Sequence, residues 1–298
     1  MLPATITIIR QPSVYHLIEM KFYLTGLGNL AENQNHITKS IVEADRLGFD
    51  GALMPDHYMW GNEIGHSMKN PYNTLETWTT LSYLAGKTNR INLGTLVTPL
   101  GLRHPGMLAK MLATLDNLSG GRVVLGVGAG WSQVEFKGYS NWLEPAERVA
   151  KTVEALKLIL NLWSEECVTH HGRFYDIDGA VLLPKPLQTP HPRLLFGSQG
   201  RRMLKLTGLY GDIFFVPPWA QMKAGEMIAV VREASEKAGR KEPALMLGTM
   251  DSRAYIASEY AKGVEIAAKM GAVYYTIAFP RDDPTSMNRF ADEVMPSY

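Results

Sequence analysis

The sequence has one cysteine and almost no net charge, and each scarcity excludes a class of function. Its 298 residues include 30 Lys or Arg and 29 Asp or Glu, which leaves a formal net charge of +1. This balance gives no electrostatic attraction to nucleic acid or to an anionic membrane surface. A lone Cys167 cannot form an internal disulfide bond, as is usual in a reducing compartment. We therefore predict a cytoplasmic protein whose partner is a small-molecule substrate.

Long apolar runs are also missing. No segment approaches the ~18–20 apolar residues that a membrane span needs, and no signal-peptide core precedes a small-residue cleavage site. Residues 1–19 read as an N-terminal extension, because Met20 starts a segment that runs directly into a strand pattern. The isoleucines within 6–9 either add an edge strand or stay loose. Residues 20–298, with ordinary shares of apolar and charged positions, are predicted to form a single domain.

Strand patterns alternate with helical patterns along this domain, which is typical of a parallel sheet with crossover helices. Eight strands are predicted, each apolar enough to be covered on both faces, at residues 21–27, 51–55, 91–97, 122–128, 193–198, 212–216, 244–250 and 272–279. Eight such units in about 250 residues indicate an α/β fold of the (β/α)8 TIM-barrel type. The long segment between the fourth and fifth strands predicts an insertion with a short hairpin and an extended arm, from Gly179 and the prolines at 184, 186 and 190.

Two helices are predicted from apolar residues spaced three and four apart. The first lies between Pro105 and Gly120, and its predicted buried stripe is Met107, Leu108, Met111, Leu112, Leu115 and Leu118. The second spans about 145–163 and places on one face Val149, Val153, Leu156, Leu160 and Trp163. Both faces are expected to pack on the barrel.

Candidate catalytic residues follow the second strand, because the active site of such a barrel lies at the carboxyl ends of its strands. His57 at this position is able to exchange a proton near neutral pH. Asp56 beside it either fixes the histidine tautomer or holds the loop, and a purely structural turn is the alternative for the pair. Two adjacent histidines, His170 and His171, are not accompanied by a carboxylate–histidine motif, so no metal site is predicted there.

The end of the third strand is a first candidate for cofactor binding. Gly94 interrupts the apolar pattern, and Leu96, Val97 and Thr98 follow it. Glycine and threonine in such a place predict a bulge. The alternative is a strand that simply ends at Pro99.

The glycine-rich end of the fourth strand is a second candidate. Gly128, Ala129 and Gly130 offer bare backbone to a flat ring or its phosphate tail, which Trp131 would cover. A tight strand end without a ligand is the alternative. A Rossmann fingerprint beginning at Gly126 is excluded, because its third glycine would fall at Trp131 and no helix follows directly.

The residues after the fifth strand are a third candidate. Gly197, Ser198, Gln199 and Gly200 run into a helix that begins near Arg201. Backbone N–H groups at a helix start, with a serine and an arginine nearby, are suited to a phosphate group. An ordinary glycine-rich loop is the alternative.

In their order and spacing these motifs resemble the bacterial-luciferase-like family, flavin- and deazaflavin-dependent enzymes built on a TIM barrel. The resemblance extends from Met20 to the C-terminus and includes Gly48-Phe49-Asp50, Asp56-His57, Thr98-Pro99, Arg103-His104-Pro105, Leu118 to Arg122, Gly126 to Trp131 and Pro184 to Gln188. The turn Gly197 to Gly200 resembles the branch that uses the deazaflavin coenzyme F420, as in methylenetetrahydromethanopterin reductases.

The resemblance implies an oxidoreductase that transfers hydride between F420 and a small organic substrate, with His57 handling a proton. It also implies a cis peptide bond between Leu96 and Val97 that supports the flavin ring. An FMN-dependent monooxygenase and a flavin-binding protein without catalysis are the alternatives. Homodimers through barrel helices are common in this family, and the apolar residues offered for one here, which otherwise pack on the barrel, are Leu75, Trp78 and Leu81.

Two residues depart from the pattern of particular relatives. Relatives that oxidise sugar phosphates or secondary alcohols have a glutamate where this chain has Trp131, which argues against those substrates. Methylenetetrahydromethanopterin reductases have a glutamate near the position of Thr25. The resemblance therefore leaves the substrate open.

Overall fold

The computed structural model describes residues 19–62, 68–250 and 254–298, and its centre is a closed barrel of parallel strands. The strands are β1 (Lys21–Leu24), β2 (Gly51–Met54), β3 (Asn92–Thr95), β4 (Thr98–Pro99), β5 (Val123–Gly128), β6 (Val168–His171), β7 (Asp176–Ala180), β8 (Arg193–Phe196), β9 (Ile213–Phe215), β10 (Ala244–Gly248) and β11 (Tyr274–Ile277). Strands β6 and β7 form a separate antiparallel hairpin, and β4 is a two-residue continuation after β3. Because β1 pairs with β11 and β3 pairs with β5, the eight main strands close into a ring.

The predicted TIM barrel and its eight strands are confirmed, but every strand is shorter than predicted. Leu96 and Val97 leave β3 as a bulge, and Gly197 and Ser198 leave β8 as a loop. The apolar pattern extends beyond the hydrogen-bonded residues because the residues after each strand are themselves partly covered. The predicted extension, apart from residue 19, lies outside the described residues.

Helices surround the barrel, with bounds α1 (Gln34–Leu47), α2 (Thr77–Ala85), α3 (Pro105–Ser119), α4 (Gln133–Tyr139), α5 (Pro145–Ser164), α6 (Arg201–Tyr210), α7 (Ala224–Lys237), α8 (Ala257–Lys269) and α9 (Ser286–Glu293). Both predicted helices are present as α3 and α5. Along the three described ranges, no helix combines the length and the apolar character needed to cross a membrane.

Only half of the residues predicted for the buried stripe of α3 are buried. Leu108, Leu112 and Leu115 are buried, whereas Met107 is 64% exposed and Leu118 is 80% exposed, and Met111 is exposed as well. The face toward the barrel is completed by small and polar residues instead, namely Ala109, Ala113 and Asp116. An apolar spacing of three and four was compatible with two adjacent faces, and packing selected the one with the smaller residues.

Apolar residues of α2 pack inward. Trp78 and Leu81 are fully buried against the barrel, and the Trp78 indole donates a hydrogen bond of 3.0 Å to the Thr98 hydroxyl. Of the two uses predicted for these side chains, packing on the barrel is therefore the one observed. Trp78 and Leu81 offer no surface to a second subunit, whereas Leu75, just before α2, packs on the core but stays partly exposed.

The insertion after β5 has the predicted hairpin and arm. Helix α5 packs on α3, the β6–β7 hairpin follows, and the arm 181–190 returns along α3. Asp116, buried on α3, accepts hydrogen bonds from the backbone N–H and side-chain amide of Gln188, at 2.9 and 2.6 Å. Lys110 and Asn117 donate to carbonyl groups of the same arm. The arm is thus fastened to the outside of the barrel.

The barrel interior is filled by side chains. Its inner cluster consists of Tyr23, Leu53, Val124, Leu195, Ile213, Phe215, Met246 and Tyr274. A larger apolar layer lies between the strands and the helices. Since the barrel is packed rather than hollow, ligand space is left only at its ends.

Candidate active site

A cleft of about 650 Å³ opens at the carboxyl ends of the barrel strands. This volume lies within the range of roughly 300–1,000 Å³ that is usual for small-molecule sites. Its lining residues follow β2, β3, β5, β8, β9 and β10, and they are Pro55, His57, Trp60, Leu96, Val97, Pro99, Gly128, Ala129, Gly130, Trp131, Gly197, Ser198, Gln199, Gly200, Phe215, Pro217, Trp219 and Met250. The loops singled out from the sequence therefore meet in one place.

Most of the predicted site residues line this cleft. They are His57, Leu96, Val97, Gly128, Ala129, Gly130, Trp131, Gly197, Ser198, Gln199 and Gly200. Three predicted residues, Asp56, Thr98 and Arg201, lie behind or beside it. Trp60, Phe215, Trp219 and Met250 line the cleft but were not among the sequence candidates.

His57 is held by a carboxylate that the sequence analysis missed. The His57 Nδ1 atom lies 3.1 Å from Oε2 of Glu135, and the other carboxylate oxygen accepts the Tyr58 backbone N–H at 2.6 Å. Glu135 is only 1% exposed. Within the part of the chain that the structure describes, no hydrogen bond uses His57 Nε2. The imidazole is therefore anchored at one nitrogen, and the other remains for a ligand.

The sequence around Glu135 contains a recognisable pattern, but that pattern predicts a contact with the helix cap rather than with His57. Ser132 caps α4, and its hydroxyl accepts the Glu135 N–H at 3.4 Å. A serine followed by glutamate three residues later is the pattern of a capping box, in which the glutamate turns back to the cap. Here the carboxylate instead points across the cleft wall to His57 and Tyr58.

Aromatic rings hold the His57 imidazole on two further sides. The Trp60 ring lies 4.1 Å from it, centroid to centroid, and the Trp131 ring meets it edge to face at 5.5 Å. The Trp60 indole donates to the Asn29 side chain at 2.9 Å, and Asn29 in turn donates to the His57 carbonyl at 2.6 Å. Asn29 thereby couples the positions of both rings.

Asp56 forms hydrogen bonds with the residues that hold its loop, and none with His57. Its carboxylate accepts two hydrogen bonds from the Arg103 guanidinium, at 2.7 and 2.8 Å, and one from the Thr98 hydroxyl at 2.7 Å. It makes no contact with the His57 ring. Of the two roles predicted for Asp56, holding the loop agrees with the geometry, and the carboxylate in contact with the His57 ring is that of Glu135.

The buried negative charge of Asp56 is balanced by the positive charge of Arg103. Burial raises the pKa of Asp56, and the Arg103 guanidinium and the Thr98 hydroxyl oppose this rise. Burial alone would lower the pKa of Arg103, but Asp56 and Glu76 raise it above its usual range. Arg103 also contacts Glu76 directly and lies over the Tyr58 ring at 4.6 Å. This network fixes the loop that carries His57.

The cis peptide bond expected between Leu96 and Val97 is present. Both residues line the cleft, and the Thr95 and Thr98 hydroxyls on either side of them are 2.9 Å apart. Leu96 donates its backbone N–H to the Met54 carbonyl at 2.9 Å. On its other side, Thr98 of β4 pairs with Val127 of β5, so the bulge is attached to two neighbouring strands.

The glycines of β5 are required by the protein itself. A Cβ atom on Gly126 would lie 1.9 Å from the Thr95 carbonyl oxygen, and one on Gly128 would lie 2.5 Å from the Val97 side chain. These glycines allow β5 to approach the bulge closely. Gly128 lines the cleft beside Ala129 and Gly130, so close packing and access to bare backbone coexist there.

The start of α6 has the features of a phosphate site. Gly200 is its N-cap, and no side chain caps the helix. A Cβ on Gly200 would meet nothing within 4 Å, so there is open space beside the N-cap. Ser198 and Gln199 line the cleft at this end, and Arg201 is exposed next to it. This end of the cleft fits an anionic cofactor tail.

The adjacent histidines His170 and His171 each contact a nearby carboxylate. His170 contacts Glu154 at 3.2 Å, and His171 contacts Asp176 at 2.7 Å. Both belong to β6 of the hairpin, away from the cleft. In the described ranges, no group of three or more His, Cys, Asp or Glu side chains is arranged to hold a metal ion.

Known proteins resemble this chain over most of its length. The family model described as luciferase-like monooxygenase matches residues 22–253. The F420-dependent glucose-6-phosphate dehydrogenase of Nakamurella multipartita is 31% identical over 263 residues, covering 85% of this chain and 74% of that protein. The FMNH(2)-dependent dimethylsulfone monooxygenase of Pseudomonas putida is 30% identical over 174 residues, covering 58% of this chain and 46% of that protein.

A solved structure agrees with the barrel. The coenzyme F420-dependent tetrahydromethanopterin reductase from Methanopyrus kandleri has a TM-score of 0.76 at 18% identity, covering 94% of this chain and 99% of that chain. At this identity the likeness concerns the fold alone. The matched residues 22–253 include the cleft motifs that follow β2, β3, β5 and β8. The resemblance seen in the sequence is thereby confirmed, and the chain belongs to the luciferase-like monooxygenase family.

Proposed function

We propose that the protein is an oxidoreductase that transfers hydride between coenzyme F420 and a small organic substrate. One observation carries the proposal: His57, held at Nδ1 by buried Glu135, lines the same cleft as the uncapped start of α6. A proton-exchanging group and a phosphate-binding end at opposite parts of one cleft are what such chemistry requires. The relative named for F420 at 31% identity supports this cofactor.

The cofactor would be held by residues of three loops. Ser198, Gln199 and the first N–H groups of α6 would bind its phosphate tail, with Arg201 as a nearby cation. The bulge at 96–97 and the backbone of 128–130 would support its ring. When bound, F420 supplies a carbon centre that accepts or donates hydride.

His57 would hold or release the proton of the substrate at its Nε2 atom. An ionised Glu135 would accept the Nδ1 proton of a neutral imidazole, and the acceptor lone pair would then lie on Nε2. Trp60 and Trp131 prevent the ring from turning away from the substrate. They also exclude water from its faces.

An FMN-dependent monooxygenase is the second candidate, because a relative of similar identity is named for FMNH(2). A flavin-binding protein without catalysis is the third. The test is a side-by-side calorimetric titration of the purified protein with oxidised F420 and with FMN. Preference for F420 supports the proposal, whereas preference for FMN with oxygen consumption supports the second candidate. Cofactor binding without turnover of any substrate in a broad panel supports the third.

We further propose that the protein is a homodimer. An apolar surface remains on the outer face of α3 and on the arm fastened to it, where six apolar side chains are exposed: Met107, Met111, Leu118, Val181, Leu183 and Leu187. Contiguous exposed apolar side chains are typical of interaction surfaces. Sedimentation equilibrium should give twice the monomer mass, and Leu118→Lys should shift the equilibrium toward monomer.

We also propose a cytoplasmic location. Cys167 is exposed and has no disulfide partner, which suits a reducing compartment. Fractionation of cells that express a tagged chain tests this location directly. Recovery of the tagged chain in the fraction that contains an exported marker protein would contradict this location.

A further inference from the structure

The cleft is walled largely by aromatic and other apolar side chains. Trp60 and Trp131 flank the imidazole, and Trp219 stands on the segment that follows β9. Phe215 and Met250 also line the cleft. The wall therefore presents three indole rings within one cleft.

Two of these rings face water. Trp131 is 55% exposed and Trp219 is 69% exposed, although both line a concave surface. Covering apolar ring surface is favourable by about 25 cal/mol for each Å² removed from water. Neither indole donates a hydrogen bond within the described ranges, so each is available to a ligand as an apolar face or edge.

The polar side chains of the cleft lie on different loops. Ser198 and Gln199 lie with the start of α6, whereas His57 contacts the Trp60 and Trp131 rings. Among the cleft-lining residues that the structure describes, none is Asp, Glu, Lys or Arg. A charged group placed beside the indoles would lose water without gaining an ionic partner among these described lining residues, which is costly.

Resting on the proposed function, we propose that the substrate is an uncharged molecule with an apolar ring system and one polar group. The ring packs against Trp131 and Trp219, and the polar group meets His57 Nε2. A six-membered sugar phosphate is a poor match for this wall, because its hydroxyls and phosphate meet indole faces. This chain and the relative named for glucose 6-phosphate would thus differ in substrate class.

The test compares two ligands and two variants. The bicyclic ketone 1-tetralone and glucose 6-phosphate are titrated by calorimetry into protein saturated with F420. We expect 1-tetralone to bind at least about tenfold more tightly. Trp219→Ala should weaken its binding by about fivefold or more, since aromatic anchors dominate such contacts.

Met222→Ala is the matched control. Met222 is a fully exposed apolar residue on the same short segment as Trp219, and it does not line the cleft. This variant should bind 1-tetralone like the parent protein. Circular dichroism should show all three proteins folded, because both substituted side chains are exposed.

Two results would overturn the proposal: tighter binding of glucose 6-phosphate than of 1-tetralone, or equal affinity of Trp219→Ala and parent for the ketone. Failure of the proposed function is distinguishable, because cofactor affinity is measured first on each sample. The ketone titration is repeated with FMN-loaded and cofactor-free protein. Weak F420 binding together with the expected ketone preference would reject the cofactor and retain the substrate class.

Discussion

Glu135 and His57 form a buried pair across the cleft wall, with Oε2 of the glutamate 3.1 Å from Nδ1 of the imidazole. The two residues are 78 positions apart in the chain. The pairing makes Glu135 a positioning residue, since it lies behind the imidazole and does not line the cleft. The proposed proton exchange at Nε2 depends on which tautomer this carboxylate selects.

Glu135→Gln should lower kcat at least about tenfold while leaving KM within about threefold, because an amide does not select the same tautomer. Steady-state kinetics measures this split. NMR of the imidazole nitrogens should show a changed tautomer in the variant, which a merely structural role would not produce. Glu144→Gln, at an exposed position before α5, is the control. An unchanged kcat and tautomer would contradict the role.

His57→Ala should lower kcat by about 10²–10⁴-fold, the usual contribution of a positioned acid or base. F420 affinity should change much less, because the phosphate end of the cleft lies on another loop. Turnover and fluorescence titration measure the two quantities. Parent-like turnover would remove His57 from the mechanism.

Gly200→Asp should weaken F420 binding at least about tenfold, because a carboxylate at the N-cap takes the first N–H groups of α6 and repels a phosphate. The protein should stay as stable or gain a few tenths of a kcal/mol, since aspartate is a better N-cap than glycine. Gly200→Asn is the uncharged control of matched size, and its effect should be smaller. Calorimetry and thermal melting follow both. Equal affinity of parent and Gly200→Asp would place the phosphate elsewhere.

Arg103→Met should destabilise the fold by about 3–5 kcal/mol, because it leaves the Asp56 carboxylate buried without its cation. Urea unfolding measures the difference. Arg46→Met removes an exposed pair with Glu43 and should lower the stability far less than Arg103→Met does. Similar losses in the two variants would show that the Asp56 network is not a stabilising anchor.

Asp45→Asn should lower stability at neutral pH and lose its effect in acid. The Asp45 carboxylate accepts the backbone N–H groups of Asn89, Arg90 and Ile91. Partial burial would raise the pKa of Asp45, but these donors lower it overall. A carboxyl with a depressed pKa stabilises the fold above its unfolded value of about 4, and this contribution disappears as the pH falls through the folded value.

For this variant we expect a loss of about 1–2 kcal/mol at pH ~7 that shrinks below pH ~4. Thermal melting across this range measures it. Asp282→Asn is the control, because Asp282 is exposed and accepts no hydrogen bond within the described ranges. A deficit that is constant with pH would contradict the titration of Asp45.

The alternation of apolar strands and helical patterns determined the barrel from the sequence alone, because each strand must be covered on both faces by the helices between strands. The rule that active sites lie at the carboxyl ends of barrel strands then selected the loops at 57, 96–97, 128–131 and 197–200. All of these loops line one cleft. Local pattern was sufficient there because each loop directly follows its own strand.

Only the tertiary structure decided which side chains meet. Glu135 reaches His57, Arg103 reaches Asp56 and Asn29 reaches Trp60 because barrel closure brings distant loops together. The exposed side of α3 was decided in the same way, since apolar spacing describes a helix face without saying what packs on it. Local periodicity depends only on neighbouring residues, whereas these contacts join residues that are 31 to 78 positions apart.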